Sequence, residues 1–197
     1  MSDRIELETS DGEHLEARWD HASDPIGATV FCHPHPLDRG SMNAPLMIGV
    51  TLRLVELGFS VLRFNFRGTG TSSGSHDYGS AEVLDVAAAV TTARSTGLPL
   101  SLAGWSFGAG VALNWLAAEQ SPPPYSGIAP PPENLPGSLP PGPKRVIVGT
   151  REQVIDTQAL LAYAARLSID VVLTPGDHFF HGRGKKIGDL VAQGLAD

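Results

Sequence analysis

An α/β fold with a mainly parallel central sheet, helices on both faces and an opening β-hairpin is the architecture this sequence predicts. Three observations lead to it: polar–apolar alternation at the N-terminus broken by an Asp-Gly step, short apolar runs recurring along the chain, and helical apolar spacing between those runs. Strands that alternate with helices pair in parallel and carry a helical layer on each face.

The elements follow in order. Residues 4–8 and 14–19 alternate in polarity around Asp11-Gly12 and read as a hairpin. Residues 28–32 and 61–66 are apolar strands, and between them 46–57 has helical spacing closed by Gly58 as a C-cap residue. A helix over 81–93, a strand over 98–103 and a helix over 109–119, stopped before Pro122, repeat the unit. A strand over 146–149, a helix over 159–167, a strand over 171–174 and a last helix over 185–195 complete it. Between 121 and 143 prolines are dense; the expectation is an ordered, extended surface connection carrying one short strand over 126–129, with a flexible linker as the alternative.

The 197 residues suit a single domain over 1–197, and 42% hydrophobic residues are enough for a core. A net charge of -7 argues against a surface that tracks phosphates, so nucleic acid is not an expected partner. No apolar run reaches the roughly 18 residues that would span a bilayer, and charges at Asp3, Arg4, Glu6 and Glu8 interrupt any secretory signal. The single Cys32 permits no internal disulfide, and a cytoplasmic location is the expectation.

Gly-x-Ser-x-Gly occurs twice, at Gly104-Trp105-Ser106-Phe107-Gly108 and at Gly70-Thr71-Ser72-Ser73-Gly74, so context must decide between them. Ser106 directly follows a strand and precedes a helix, the setting of a nucleophile elbow. The helix N-terminus favours developing negative charge beside it, and the Phe107 N–H is the first candidate oxyanion donor. Ser72 lacks that setting, and 68–74 reads as a glycine-rich loop. Its Gly68-x-Gly70 start has no third glycine and no helix beginning at once, so no nucleotide cofactor is expected.

A serine nucleophile needs a histidine base and a carboxylate to orient that base. His178, just beyond the strand over 171–174, is the expected base, with His181 as the alternative. The acid is expected from the loop after the preceding strand, which offers Glu152 and Asp156. Asp156 could instead cap the helix that follows, and Glu152 is preferred. Asp177 adjoins His178 and is badly placed to bond its Nδ1.

His33-Pro34-His35-Pro36 closes the strand over 28–32. Two imidazoles near Asp38, with His178 and His181 to complete the set, could ligate zinc, but the spacing fits no metallohydrolase motif and leaves Ser106 unexplained. On the serine reading the loop supplies a second oxyanion N–H. Proline cannot donate, which leaves His35 or Leu37, while His33 braces the loop.

The sequence resembles small, lidless bacterial α/β-hydrolases related to dienelactone hydrolases. The resemblance rests on the His-Pro-His-Pro loop with Gly40-Ser41-Met42, on Arg63-Phe64-Asn65-Phe66-Arg67-Gly68-Thr69-Gly70, on the 104–108 elbow, and on Gly176-Asp177-His178-Phe179-Phe180-His181-Gly182. It implies Ser106 as nucleophile, His178 as base and oxyanion donors from Phe107 and the His35 region. Where that family usually carries Asp, this chain has Glu152. The expected activity is hydrolysis of short-chain esters or related small acyl substrates without a cofactor or metal, by a monomer or homodimer. Thioester or lactone hydrolysis on the same residues, or a non-catalytic binding role, are the alternatives. Phe66, Trp105, Phe179 and Phe180 are candidate substrate-contacting walls, because carboxyl-end loops would bring them near Ser106.

Overall fold

The computed structural model describes residues 2–196. Strands β1 (Ser2–Glu8) and β2 (His14–Asp20) pair antiparallel, with Leu7 opposite Leu15. Their turn passes through Gly12 at φ 87°, a conformation that glycine reaches without a Cβ penalty. Then come β3 (Gly27–Cys32), α1 (Pro45–Glu56), β4 (Phe59–Phe64), α2 (Glu82–Arg94), β5 (Leu100–Trp105), α3 (Phe107–Ala117) and β6 (Tyr125–Ile128). The chain continues through β7 (Lys144–Gly149), α4 (Thr157–Arg166), β8 (Asp170–Thr174) and α5 (Gly184–Leu195). The expected elements are all present, most with ends displaced by a residue or two. Short 3-10 turns at Pro36–Asp38 and Pro132–Asn134 were not foreseen, being too short to show a period.

The eight strands form one sheet in the order β1-β2-β4-β3-β5-β6-β7-β8. The hairpin joins antiparallel to β4, and every pair from there onward is parallel. Side chains alternate faces along each strand, which splits the core in two. Val30, Cys32, Leu62, Phe64 and Leu102 pack under α2 and α3 on one face. Phe31, Val61, Ala103, Ile128 and Ile147 pack under α1 and α5 on the other. Val146 and Val148 pack with Leu160 and Tyr163 of α4. Every residue of β3 and β4 is buried, as parallel strands covered on both sides must be.

The run after β4 pins the sheet to its loops through buried polar groups. Arg63 bonds Asp20 (2.7 Å) and the Met42 carbonyl (2.5 Å). Asn65 donates to Glu16 (2.7 Å) and accepts from the Met42 N–H (2.9 Å). Arg67 reaches Asp85 on α2 (2.7 Å) and Asp11 in the hairpin turn (2.8 Å). Such groups are tolerated inside because each is matched by a partner.

The proline-rich connection is ordered. It carries β6, and beyond it Asn114 donates to the Asn134 carbonyl (3.0 Å), Tyr163 to that of Pro136 (3.0 Å) and Arg166 to that of Gly137 (2.7 Å). Leu135 and Leu139 anchor it against the core. Among the described residues no helix is long and apolar enough to cross a membrane. Because β3, β5, β7 and β8 run in parallel, the loops that follow them gather along one edge of the sheet.

Candidate active site

The step from β5 into α3 holds Ser106 at φ 51°, ψ -121°, a strained conformation for a residue with a side chain. Its N–H is fixed to the Ile128 carbonyl at 2.7 Å. The turn closes tightly enough that a Cβ on Gly104 would lie 2.5 Å from the Ala109 Cα, and one on Gly108 would overlap the His33 carbonyl oxygen. Both glycines of the motif are therefore required sterically. The second Gly-x-Ser-x-Gly match has a different place: the Ser72 hydroxyl donates to the Asn65 carbonyl (2.8 Å) and accepts the Glu16 N–H (2.9 Å) inside a structural loop.

His178 sits in the turn after β8, 4% exposed, with Nε2 3.0 Å from Ser106 Oγ and Nδ1 2.9 Å from Glu152 Oε2. The loop after β7 is tied to the loop after β8. The Thr150 N–H donates to the Thr174 carbonyl and the Arg151 N–H to that of Gly176, both at 2.9 Å. Glu152 is thereby drawn to the imidazole, and its other oxygen accepts the N–H groups of Gln153 (3.0 Å) and Val154 (2.8 Å). Asp156, the other acid candidate, is exposed and caps α4, accepting the Ala159 N–H at 2.9 Å. Asp177 points back into its own turn, where the N–H groups of Phe179 and Phe180 reach it at 3.1 Å. Partial desolvation opposes ionisation of Asp177, but those two N–H groups hold its carboxyl below the usual range.

Opposite the elbow, the His33 ring is fixed at both nitrogens. Nδ1 donates to the Pro34 carbonyl at 2.6 Å and Nε2 accepts the Phe66 N–H at 3.0 Å. Burial drives its pKa down to about 4, against a partial opposing effect of the Pro34 bond, so the ring stays neutral and has no lone pair to offer a metal. Among the described residues no cluster of three or more His, Cys, Asp or Glu side chains is placed to hold a metal ion. The Leu37 N–H turns inward to His35 Nδ1 (3.3 Å), whereas the His35 N–H meets no protein acceptor among the described residues. Phe107 opens α3, where an N–H has no partner within the helix. The structure thus brings together Ser106, His178, Glu152 and the His35 and Phe107 loops, and leaves Asp156 and Leu37 otherwise engaged.

Two of the four aromatic candidates line the cavity of about 490 Å³ that opens at Ser106: Trp105, whose Nε1 donates to the His178 carbonyl (3.2 Å), and Phe179. The other two must be corrected. Phe66 is fully buried beneath Phe107 and His33, because β4 ends at Phe64 and the chain then dives under the elbow. Phe180 is 1% exposed and belongs to the α1–α5 core, turned inward by its φ of 47°. Sequence reading also passed over His76 and Glu82. The His76 ring packs on His35 (centroids 4.8 Å) and Phe107 (5.2 Å), with Nδ1 2.7 Å from Glu82 in an orientation outside hydrogen-bond geometry. Fully buried Glu82 accepts the N–H groups of Asp77 and Gly79, both at 2.8 Å. The available signal was the position of this glycine-rich loop, which follows a strand adjacent to β3 and so must flank the loop after β3.

The sheet, the elbow and the hydrogen-bonded Ser, His and Glu side chains define an α/β-hydrolase-type protein. No protein-family model matches the sequence. An uncharacterised protein of Rickettsia prowazekii is 30% identical over 195 residues, covering 90% of this chain and 82% of that one. A solved α/β serine hydrolase without a lid, from Xanthomonas campestris, superposes at TM-score 0.89 with 31% identity, covering 99% of this chain and 94% of the other. An α/β serine hydrolase homologue from Coxiella burnetii gives 0.87 and 29%, over 98% and 97%. The chain belongs to the family of lidless α/β serine hydrolases.

Proposed function

We propose that the protein is a carboxylesterase acting on esters of short acids through an acyl-serine intermediate. The observation that carries this reading is the continuous line from Glu152 through His178 to Ser106, with steps of 2.9 and 3.0 Å, ending at a strained serine on a helix N-terminus. His178 takes the Ser106 proton as Oγ attacks the carbonyl carbon, and Glu152 holds the ring in the tautomer that leaves Nε2 free to accept. The negative charge that develops on the carbonyl oxygen is met by the N–H groups of Phe107 and His35, which need no reorganisation as the charge appears. The C–O bond to the alcohol then breaks, with the alcohol oxygen taking the proton from His178 Nε2. Water, activated by the same imidazole, releases the acid and restores Ser106. The side chains present suffice for every step, so the reading calls for no cofactor or metal.

The test combines a fluorophosphonate probe with turnover of small esters, thioesters and lactones. Wild type is expected to label and to prefer esters. Ser106→Ala should abolish labelling, and Ser106→Ala and His178→Ala should each lower turnover by about 10⁴-fold or more. Labelling should persist in EDTA. A correctly folded wild type that neither labels nor turns over any acyl substrate would sink the enzymatic reading in favour of a binding role. A preference for thioesters or lactones would keep the Ser106 chemistry and change the substrate class.

A further inference from the structure

We infer that the alcohol portion of the ester lies in a second, apolar groove between α1 and α5, reached from the Ser106 cavity across Phe179. The inference rests on the acyl-serine reading above and adds which side of the ester is large. The cavity of about 490 Å³ at Ser106 and a neighbouring one of about 430 Å³ share Pro45, Leu46, Phe179 and His181, so they are two lobes of one depression. The second lobe lies where α1 and α5 meet backbone to backbone: a Cβ on Gly184 would come within 2.6 Å of the Gly49 Cα. At that contact no side chain stands between the two backbones, and a concave surface lies beside it.

Its near end is apolar and its far end carries charges of both signs. Leu52 is 60% exposed and Phe179 48%, two of the few large apolar side chains left in water among the described residues, and both line this lobe. The charged groups at its far end satisfy one another: Arg53 bonds Asp189 (2.6 Å) and Glu56 (2.8 Å), and Lys185 lies 3.9 Å from Glu56. An alkyl or aryl group would cover Leu52 and Phe179.

The reaction assigns the direction. The alcohol oxygen must face His178 Nε2, because that atom supplies its proton when the C–O bond breaks. His178 lines the first lobe beside Phe179 and His181, and those two residues, with Gly182, also border the second lobe. The alcohol therefore points into the α1–α5 groove. The acyl group then occupies the first lobe, between Val154 and the Pro34–Gly40 loop. The substrates are esters of short acids with large, uncharged alcohols.

Two homologous series decide this without changing the leaving-group chemistry: ethyl, hexyl and octyl acetate against ethyl hexanoate and ethyl octanoate. Lengthening the alcohol should raise kcat/KM by about tenfold or more, mainly through KM, as methylenes leave water, and lengthening the acid should not. Leu52→Glu, on the exposed face of α1, should collapse the octyl-to-ethyl ratio to about one. Independently of turnover, octanol added to isotope-labelled Ser106→Ala protein should shift the amides of Gly49, Leu52, Gly182 and Gly184. A gain that follows the acid, a ratio indifferent to Leu52→Glu, or unshifted groove amides would overturn the assignment. Failure of the serine reading is separate and shows as an unlabelled, inactive wild type, whose octanol titration still decides the groove.

Discussion

Glu152 and Asp156 carry the same functional group four positions apart, and their contacts set them different tasks. Glu152 touches His178, with its remaining oxygen held by two backbone N–H groups, while Asp156 caps a helix at the surface. On the proposed acyl-serine reading, Glu152→Gln keeps the shape but loses the charge that would stabilise the imidazolium and fix its tautomer. Turnover should fall by about 10²- to 10⁴-fold with the melting temperature little changed. Asp156→Ala should do the reverse, costing about 1 kcal/mol of stability by denaturant titration and leaving turnover in place. If Asp156→Ala inactivated a folded enzyme, the assignment of the acid would be wrong. The sequence favours Glu152 and leaves Asp156 open, since both fit the loop after β7. What sets Glu152 against His178 is the pairing of that loop with the loop after β8, a contact between segments 25 residues apart, as in the Arg151 to Gly176 bond. Phe66 and Phe180 failed for a related reason: past the end of a strand, alternation no longer says where a side chain points.

Arg67 joins elements that the sheet alone would not hold in register. Its guanidinium spans Asp85 of α2 and Asp11 of the β1–β2 turn, tying the opening hairpin to the helix that covers it. Asp85 is fully buried; desolvation raises its pKa and the Arg67 contacts act against that. Asp11 has its carboxyl lowered to about 2 by its bond to Arg67 and a second bond from Thr9. Arg67→Ala would strand the Asp85 carboxylate in the core, and unfolding measurements should show a loss of roughly 3–5 kcal/mol. The double variant Arg67→Met, Asp85→Leu should recover much of it, because it removes the unpaired charge rather than exposing it. A single variant as stable as wild type would mean that the pair contributes no more than an exposed one. Elements of this fold were legible in the sequence because each obeys a local period of 2 or 3.6. The ties between them were not, because Asp11, Arg67 and Asp85 become neighbours only once β4 lies beside the hairpin.

Across the whole molecule, one joint that responds to acid lies where the loops after β3 and β4 meet. His33 bridges them, donating to the Pro34 carbonyl and accepting from the Phe66 N–H, and protonation of Nε2 would break the second bond inside a buried site. Burial lowers its folded-state pKa to about 4 from 6.5. Between those values the unfolded chain takes up a proton that the folded protein refuses. Stability therefore falls as pH drops through that window, is fully present above the unfolded value, and stops responding to this group below about 4. A separation of this size corresponds to on the order of 3 kcal/mol for a fully buried ring. Burial and the nearby His76 lower the His35 pKa as well, which adds to the trend in the same direction. Denaturant titrations of wild type and His33→Gln at a series of pH values isolate the effect, since glutamine can keep a donor and an acceptor but does not titrate. Contributions from carboxylates common to both proteins cancel in the difference. The stability gap should shift toward the variant by most of that amount as pH falls from about 7 to about 4. A gap that stays constant would mean that His33 does not carry the acid response, and that the loop lined against Ser106 is held by other contacts.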